Sequence, residues 1–75
     1  MLIRSQDRTK LVDIAGKTIV ASSVNDIRIS YANSSVRLGH YNSCEKAIKV
    51  LDLIQESYIN GHTDFQMPKD VDVNE

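Results

Sequence analysis

Two arginines stand where strand alternation would bring them together on one side of a sheet. Residues 27–32 alternate apolar with polar side chains, and residues 36–41 alternate again after a short polar turn. If these segments are the two arms of a hairpin, Arg28 lies opposite Arg37 on the face that points away from the core. The side chains predicted to share that outer face are Arg28, Arg37, Ser30 and Tyr41.

Guanidinium groups, hydroxyls and an aromatic ring on one face are suited to a phosphate-bearing ligand such as a nucleotide. Arginine binds phosphate oxygens in a bidentate manner, and an aromatic ring can stack on a base. The alternative is a solvated sheet face whose arginines discourage aggregation of the sheet edge. A position at a subunit interface would favour the ligand, since two symmetric copies would double the cationic lining.

The sequence contains no pattern typical of an enzyme or a metal site. It has no glycine-rich phosphate loop, no nucleophile elbow and no pair of histidines at metal-ligand spacing. Cys44, four residues after His40, could be a thiolate nucleophile at a helix N-terminus. Its place at the start of an apolar stripe instead favours a small core residue. We therefore predict a protein that is not an enzyme, without catalytic residues, metal or cofactor.

One helix is predicted over the long periodic segment that follows Ser43. Ser43 is a suitable N-cap, and Asn60 with Gly61 is a suitable stop. At about 100° per residue, one face of this helix is continuously apolar. The members of that predicted stripe are Cys44, Ala47, Ile48, Leu51, Ile54, Tyr58 and Ile59.

Val50 and Leu53 lie beyond that stripe and widen the apolar arc to roughly two-thirds of the helix circumference, more than one sheet face normally covers. Either a neighbouring loop or the last strand covers them, or they form an oligomer interface with a second subunit. A chain of 75 residues buries only about 60% of its unfolded surface, so its core is small. With one cysteine and a poor metal-ligand set, oligomerisation is the remaining source of stability. We therefore expect a homo-oligomer.

The remaining segments predict short strands around this helix. Residues 1–14 are typical of a hairpin, residues 18–23 of a third strand, and residues 63–67 of a last strand that Pro68 ends. The predicted fold is α+β: a small, mostly antiparallel sheet of four to six strands with one helix packed on one face. The predicted domain covers residues 1–68. Residues 69–75 are acidic and without periodicity, which predicts a loosely ordered tail.

The distribution of charge and hydropathy along the chain limits which partners and which cellular location are expected. Residues 1–41 carry six basic and three acidic side chains (+3), and residues 42–75 carry three basic and seven acidic side chains (−4), which gives −1 overall. This is far from the concentrated basic surface that duplex DNA binding requires. No segment approaches membrane-spanning length, and the opening run is too short for a signal peptide. A single cysteine suits a reducing compartment, so a cytoplasmic location is expected.

Three short motifs give the chain a resemblance to a group of known proteins. They are IRSQD at residues 3–7, LGHYNS at 38–43 leading into EKA at 45–47, and FQMP at 65–68. In this order they resemble the uncharacterised short proteins of Gram-positive bacteriophages and mobile elements. Those proteins begin with an I-x-S-Q-D strand, carry Y-S-T-E-E-K-A before a single helix, and end on an F-x-[MF]-P strand. The match covers most of the chain, but the motifs are structural and not catalytic.

The layout is also similar to phage anti-defence proteins that act as oligomeric nucleotide sponges. The resemblance implies binding and sequestration, without cleavage, of a cyclic nucleotide or cyclic ADP-ribose immune signal in the host cytoplasm. This chain is shorter than those relatives between helix and last strand, so Arg28, Arg37 and Tyr41 come from strand alternation and not from the resemblance. The alternative function is a protein-interaction module that docks on a host or phage protein through the Val50 and Leu53 edge or the acidic tail.

Overall fold

A computed structural model describes residues 1–31 and 34–73 and confirms the α+β class. The predicted turn residue Asn33 and the last two residues of the predicted tail lie outside the described part. The elements in chain order are β1 (Leu2–Arg4), β2 (Leu11–Asp13), β3 (Thr18–Ala21), β4 (Asp26–Tyr31), β5 (Ser34–His40), α1 (Cys44–Ile59), β6 (Asp64–Gln66) and a 3₁₀ helix (Asp70–Asp72).

The strands form two three-stranded sheets, whereas the sequence predicted one. The first has the order β2-β1-β6 and the second the order β3-β4-β5. All pairs are antiparallel except β1 with β6, which is parallel. Because β1 is paired on both edges, it offers no edge to β3, and the two hairpins belong to separate sheets. A turn at Gly16, with φ of +70°, separates them.

Helix α1 packs on the second sheet, where it contacts β3 and β4. It begins as predicted, since the Ser43 hydroxyl accepts a hydrogen bond from the Lys46 amide at 3.2 Å. The side chains that it buries are Ala47, Val50 and Ile54. They join a core whose other fully buried large residues are Ile3, Ile27, Ile29, Leu38, Tyr41 and Met67.

The helix is turned relative to the predicted apolar stripe. Its buried face is centred roughly 70° from the middle of that stripe, towards Val50. Val50 is completely buried within the chain, so its predicted place at an exposed oligomer interface is wrong, because the chain's own core covers it. Leu53 remains 37% exposed. The stripe members left in solvent are Ile48, Tyr58 and Ile59, with exposed fractions of 49%, 66% and 70%, and Cys44. The prediction that Cys44 is a small core residue is therefore wrong, because the first turn of the helix lies outside the buried face.

A β-bulge in β5 decides which of its side chains point outward. Arg28 of β4 is paired with Arg37, but Ile27 is paired with Gly39, so Leu38 is an extra residue. One extra residue reverses the alternation of every side chain beyond it. His40 therefore lies on the outer face, opposite Asp26.

Packing continues beyond Pro68, where the sequence placed the domain boundary. The Asp70 carboxylate accepts a hydrogen bond from the Asn42 amide at 2.7 Å and lies 3.2 Å from Lys46 Nζ. These bonds hold the pKa of Asp70 below its usual range, the Asn42 amide being the largest favourable cause. Val73 is only 5% exposed. The segment 69–73 is therefore attached to the domain by both polar and apolar contacts.

Candidate functional site

A buried carboxylate organises the outer face of the second sheet. The side chain of Asp26 is only 7% exposed, and three basic groups surround it. Asp26 Oδ1 lies 2.7 Å from His40 Nδ1 and 4.0 Å from Arg37 Nη1, and Asp26 Oδ2 accepts a hydrogen bond from Arg28 Nη1 at 3.3 Å. We call Asp26, Arg28, Arg37 and His40 the outer-face cluster.

The outer-face cluster carries more positive than negative charge. Arg28 and Arg37 are direct cross-strand partners, an arrangement of like charges that is unfavourable on its own. The single carboxylate of Asp26 compensates for only one of the two guanidinium charges. Arg28 is also held by a bond from its Nε to the Ser35 hydroxyl at 3.1 Å. Arg37 and His40 have exposed fractions of 61% and 54%, so their outward atoms are open to a ligand.

A cleft of about 320 Å³ opens beside the outer-face cluster, between β5 and the turn that joins β1 to β2. Its basic lining side chains are Lys10, Arg37 and His40, and its other lining residues are Gln6, Asp7, Leu38 and Gly39. The one acidic group in this lining, Asp7, accepts bonds from the Ser5 hydroxyl and from the amide and hydroxyl of Thr9. These bonds hold the pKa of Asp7 well below its usual range. Asp7 therefore stays charged at neutral pH, and its Oδ2 lies 3.9 Å from Lys10 Nζ, so that it offsets the charge of Lys10.

Gln6 joins the floor of the cleft to the first sheet. Its side-chain amide bonds both backbone groups of His40: Oε1 accepts from the His40 amide at 2.9 Å, and Nε2 donates to the His40 carbonyl at 3.0 Å. The backbone amide of Gln6 also donates a hydrogen bond to the Leu38 carbonyl at 2.7 Å. The backbone of Gly39 lies close to the side chains of Gln6 and Met67, since a Cβ added at Gly39 would lie 3.2 Å from the Gln6 Cβ and 3.3 Å from Met67 Cε. Glycine at position 39 therefore lets Gln6 fix the backbone that carries His40.

The structure brings together three of the four residues predicted to bind a ligand. Arg28 and Arg37 are paired across the hairpin as expected, and Ser30 lies on the same strand, paired with Ser35. Tyr41 is absent from this face, because the bulge turns it into the core, where it is fully buried. Its expected role in stacking on a base is therefore wrong.

Sequence reasoning missed Asp26, His40, Gln6 and Lys10. Asp26 could have been found, because extending the alternation of β4 by one residue places it on the face of Arg28. Uninterrupted alternation from Val36 would place His40 on the core side with Leu38, and nothing in the local sequence marks the bulge that moves it to the outer face. Gln6 and Lys10 come from a distant hairpin, and only the tertiary structure places them at the cleft.

Tyr41 stabilises the fold. Its hydroxyl donates a hydrogen bond to the Pro68 carbonyl at 2.7 Å. Burial, and secondarily the negative charge of Asp70, raises the pKa of the Tyr41 phenol well above its ordinary value.

Alkaline titration should therefore detect the buried phenol of Tyr41. Because the pKa of Tyr41 is higher in the folded than in the unfolded state, folding favours the neutral phenol. The stability that this contributes is present below about pH 10, the unfolded pKa, and is lost as the pH rises above that value. Measured by ultraviolet absorbance, Tyr41 should ionise only with unfolding. In a Tyr41→Phe variant, the loss of stability above pH 10 should be smaller. Reversible ionisation of Tyr41 near pH 10 in the folded protein would contradict this.

Comparison of the chain with protein-family models, with curated proteins and with solved structures finds no match. No family is shown. The resemblance to phage and mobile-element proteins therefore stays a prediction. Within residues 1–31 and 34–73 there is no group of three or more histidine, cysteine, aspartate or glutamate side chains that could hold a metal ion. No helix in that part of the chain has both the length and the apolar character needed to cross a membrane.

Proposed function

We propose that this protein binds a small phosphate-bearing molecule of the nucleotide class on the outer face of its second sheet, without cleaving it. Taken with the resemblance described above, such binding would sequester a cyclic nucleotide or cyclic ADP-ribose signal in the cytoplasm of a host cell. The observation that carries the proposal is the outer-face cluster, in which two paired arginines share one buried carboxylate beside an open cleft.

The charge arrangement supports an anionic ligand. Arg28 is directed by Asp26 and Ser35, so its guanidinium plane is fixed before a ligand arrives. Arg37 is more exposed and lies at the cleft, where the charge of the neighbouring Lys10 is offset by Asp7. A phosphate placed against Arg37 would gain charge-assisted hydrogen bonds without first breaking a short ion pair, since Arg37 is 4.0 Å from Asp26.

The size of the cleft supports a small ligand. Pockets for small molecules range from about 300 to 1,000 Å³, so a cleft of about 320 Å³ accommodates one phosphate group and part of its nucleoside. The rest of a nucleotide would extend over the sheet face towards Arg28. Tyr41 is buried and offers no ring for stacking, so recognition of the base would fall to backbone and polar groups.

Isothermal titration calorimetry with a panel of nucleotides tests the proposal. The panel should include cyclic mononucleotides, cyclic dinucleotides and cyclic ADP-ribose, with inorganic phosphate as the minimal anion. Arg37→Ala should weaken binding of the best ligand roughly ten- to a hundredfold, since a hydrogen bond to a charged group contributes about 1.5–3 kcal/mol. Higher salt should weaken binding by the unaltered protein.

Arg4→Ala is the matched control, because Arg4 is an exposed arginine on a strand of the other sheet. It removes the same charge and should leave affinity unchanged. Equal losses for the two variants would show that only net charge matters, and would contradict a site at the outer-face cluster. Absence of binding to every member of the panel would overturn the proposed function. Mass spectrometry of the ligand recovered after incubation should show it intact.

A further inference from the structure

A second cleft, of about 420 Å³, opens on the outer face of the first sheet, opposite the face that buries Ile3. Its volume is within the range of about 300–1,000 Å³ that is typical of pockets for small molecules. It shares no lining residue with the cleft beside the outer-face cluster. Three charged side chains line it, those of Arg4, Arg8 and Asp64, together with the apolar Leu2 and Leu11. We call it the first-sheet cleft.

The basic and acidic groups of the first-sheet cleft lie at different ends. Strand β6 runs parallel to β1 and places Asp64 beside Leu2. Arg4 is two residues further along β1, so its Cα is about 8 Å from that of Asp64 at ordinary strand spacings. Arg8 belongs to the turn that follows, and its carbonyl accepts a hydrogen bond from Arg4 Nη1 at 3.3 Å. Arg4 and Arg8 therefore form a basic end, and Asp64 an acidic end.

The charges of the first-sheet cleft are available to a ligand. Among residues 1–31 and 34–73, the ion pairs of the structure involve none of Arg4, Arg8 and Asp64. All three residues are exposed. The bond from Arg4 to the Arg8 carbonyl uses one of several guanidinium N–H groups and leaves the others free. The cleft thus offers both signs of charge beside an apolar surface.

The backbone of Arg8 points to a role for its side chain. Arg8 has a left-handed conformation, with φ of +69°. The other described residues with positive φ are Gly16, Gly61 and Asn25, which are types that adopt this conformation readily. A side chain such as arginine is unfavourable there, because its Cβ approaches the following carbonyl oxygen. Conformations of this kind cluster at functional sites, and the side chain of Arg8 lines the first-sheet cleft.

We propose that the first-sheet cleft binds a free α-amino acid with an apolar side chain. The ligand carboxylate accepts hydrogen bonds from Arg4 and Arg8, because guanidinium groups match the geometry of a carboxylate. The ligand ammonium group pairs with Asp64. The apolar side chain covers Leu2 and Leu11, which are 40% and 55% exposed in the free protein.

A zwitterion fits this lining better than an ion of one sign. A simple carboxylate would bring its negative charge near Asp64 without neutralising it, and a simple amine would leave both arginines without a partner. Glycine has both charged groups but no side chain for the two leucines. Each part of the ligand therefore has its own partner in the cleft, and each can be removed separately.

Nuclear magnetic resonance titration of the ¹⁵N-labelled full chain tests the proposal, with L-leucine as the probe up to about 10 mM. Leucine should bind saturably, with the largest amide shifts in β1, β2 and β6. The matched probes are 4-methylpentanoate, which lacks the ammonium group, 3-methylbutylamine, which lacks the carboxylate, and glycine. Each should bind at least about tenfold more weakly, since each lacks one set of contacts. Absence of saturable binding of leucine, or equal binding of 4-methylpentanoate, would overturn the proposal.

Two variants assign the roles of the charged residues. Arg8→Gly should weaken leucine binding at least about tenfold without lowering the thermal midpoint, because glycine adopts the left-handed conformation without a Cβ. Asp64→Asn should remove the preference for leucine over 4-methylpentanoate. Full affinity in Arg8→Gly, or an unchanged preference in Asp64→Asn, would overturn the assignment.

Arg37→Ala is the matched control, because Arg37 is an exposed arginine at the other cleft. It should leave leucine binding unchanged, although it weakens nucleotide binding. Equal loss of leucine affinity in Arg8→Gly and Arg37→Ala would show an effect of net charge and contradict a site in the first-sheet cleft. Since the two clefts have different ligands and different arginines, the amino-acid site and the nucleotide site can fail separately.

Discussion

Asp26→Asn is expected to destabilise the protein and at the same time to strengthen its binding of anions. Asp26 is the buried carboxylate that faces Arg28, Arg37 and His40, and asparagine cannot compensate for the charge of the two arginines. Loss of a charged hydrogen-bond partner costs about 1–3 kcal/mol. Arg37 and His40 are more than half exposed, which places the expected loss below that of breaking a fully buried ion pair. Urea denaturation gives the free energy of unfolding.

The affinity of Asp26→Asn for nucleotide should increase, although its stability decreases. Without the Asp26 carboxylate, both guanidinium charges of the outer-face cluster are available to the ligand, so the dissociation constant should fall severalfold. Asp64→Asn makes the same change in net charge on an exposed strand of the first sheet and is the control. Its effect on affinity should be much smaller. If Asp26→Asn instead weakened binding, the carboxylate would be a ligand-binding group, and the proposed excess of positive charge would not be the cause of binding.

Both effects arise from the outer-face cluster, and the sequence predicted the arrangement of this cluster only in part. Alternation in residues 27–32 and 36–41 correctly paired Arg28 with Arg37, because each strand repeats every two residues as far as the bulge. Beyond Leu38 the same rule failed, since one inserted residue exchanges the two faces. The extra residue, Leu38, is stabilised by groups that are distant in the sequence. Among them is the backbone amide of Gln6, which donates a hydrogen bond to the Leu38 carbonyl. A local pattern cannot contain that information.

The division into two sheets was hidden for a similar reason. The strands of the first sheet are three residues long, and at that length alternation indicates a strand without indicating its neighbour. Pairing of β1 with β6 joins residues about sixty positions apart, and it is this pairing that occupies the second edge of β1. The class of fold follows from the elements themselves, whereas the arrangement of the strands depends on contacts between distant parts of the chain.

The orientation of α1 could not be predicted from the sequence either, because the helix is apolar over more of its circumference than the sheet covers. Periodicity ranked Ile48 and Ile54 equally, as members of one stripe. In the structure Ile54 is 6% exposed and Ile48 is 49% exposed. Which part of a wide apolar arc faces the core is decided by the shape of the sheet below it, here by contacts with β3 and β4. The remainder of the arc, which includes Ile48, Tyr58 and Ile59, is exposed.

Ile54→Ala and Ile48→Ala form a matched pair that tests this orientation. Ile54→Ala should lower the free energy of unfolding by about 2–5 kcal/mol, because it removes buried methyl groups and leaves a cavity. A domain of 75 residues is expected to have a total stability of about 4–11 kcal/mol, so this variant should be close to unfolding at room temperature. Ile48→Ala removes the same atoms from a half-exposed position and should cost less than about 1 kcal/mol.

Both variants should be measured by urea denaturation at low protein concentration, so that dissociation of an oligomer does not contribute to the result. Equal losses at low concentration would place both side chains in the core of the monomer and would contradict the orientation of α1. A larger loss for Ile48→Ala would place Ile48, and not Ile54, near the centre of the buried face of the helix.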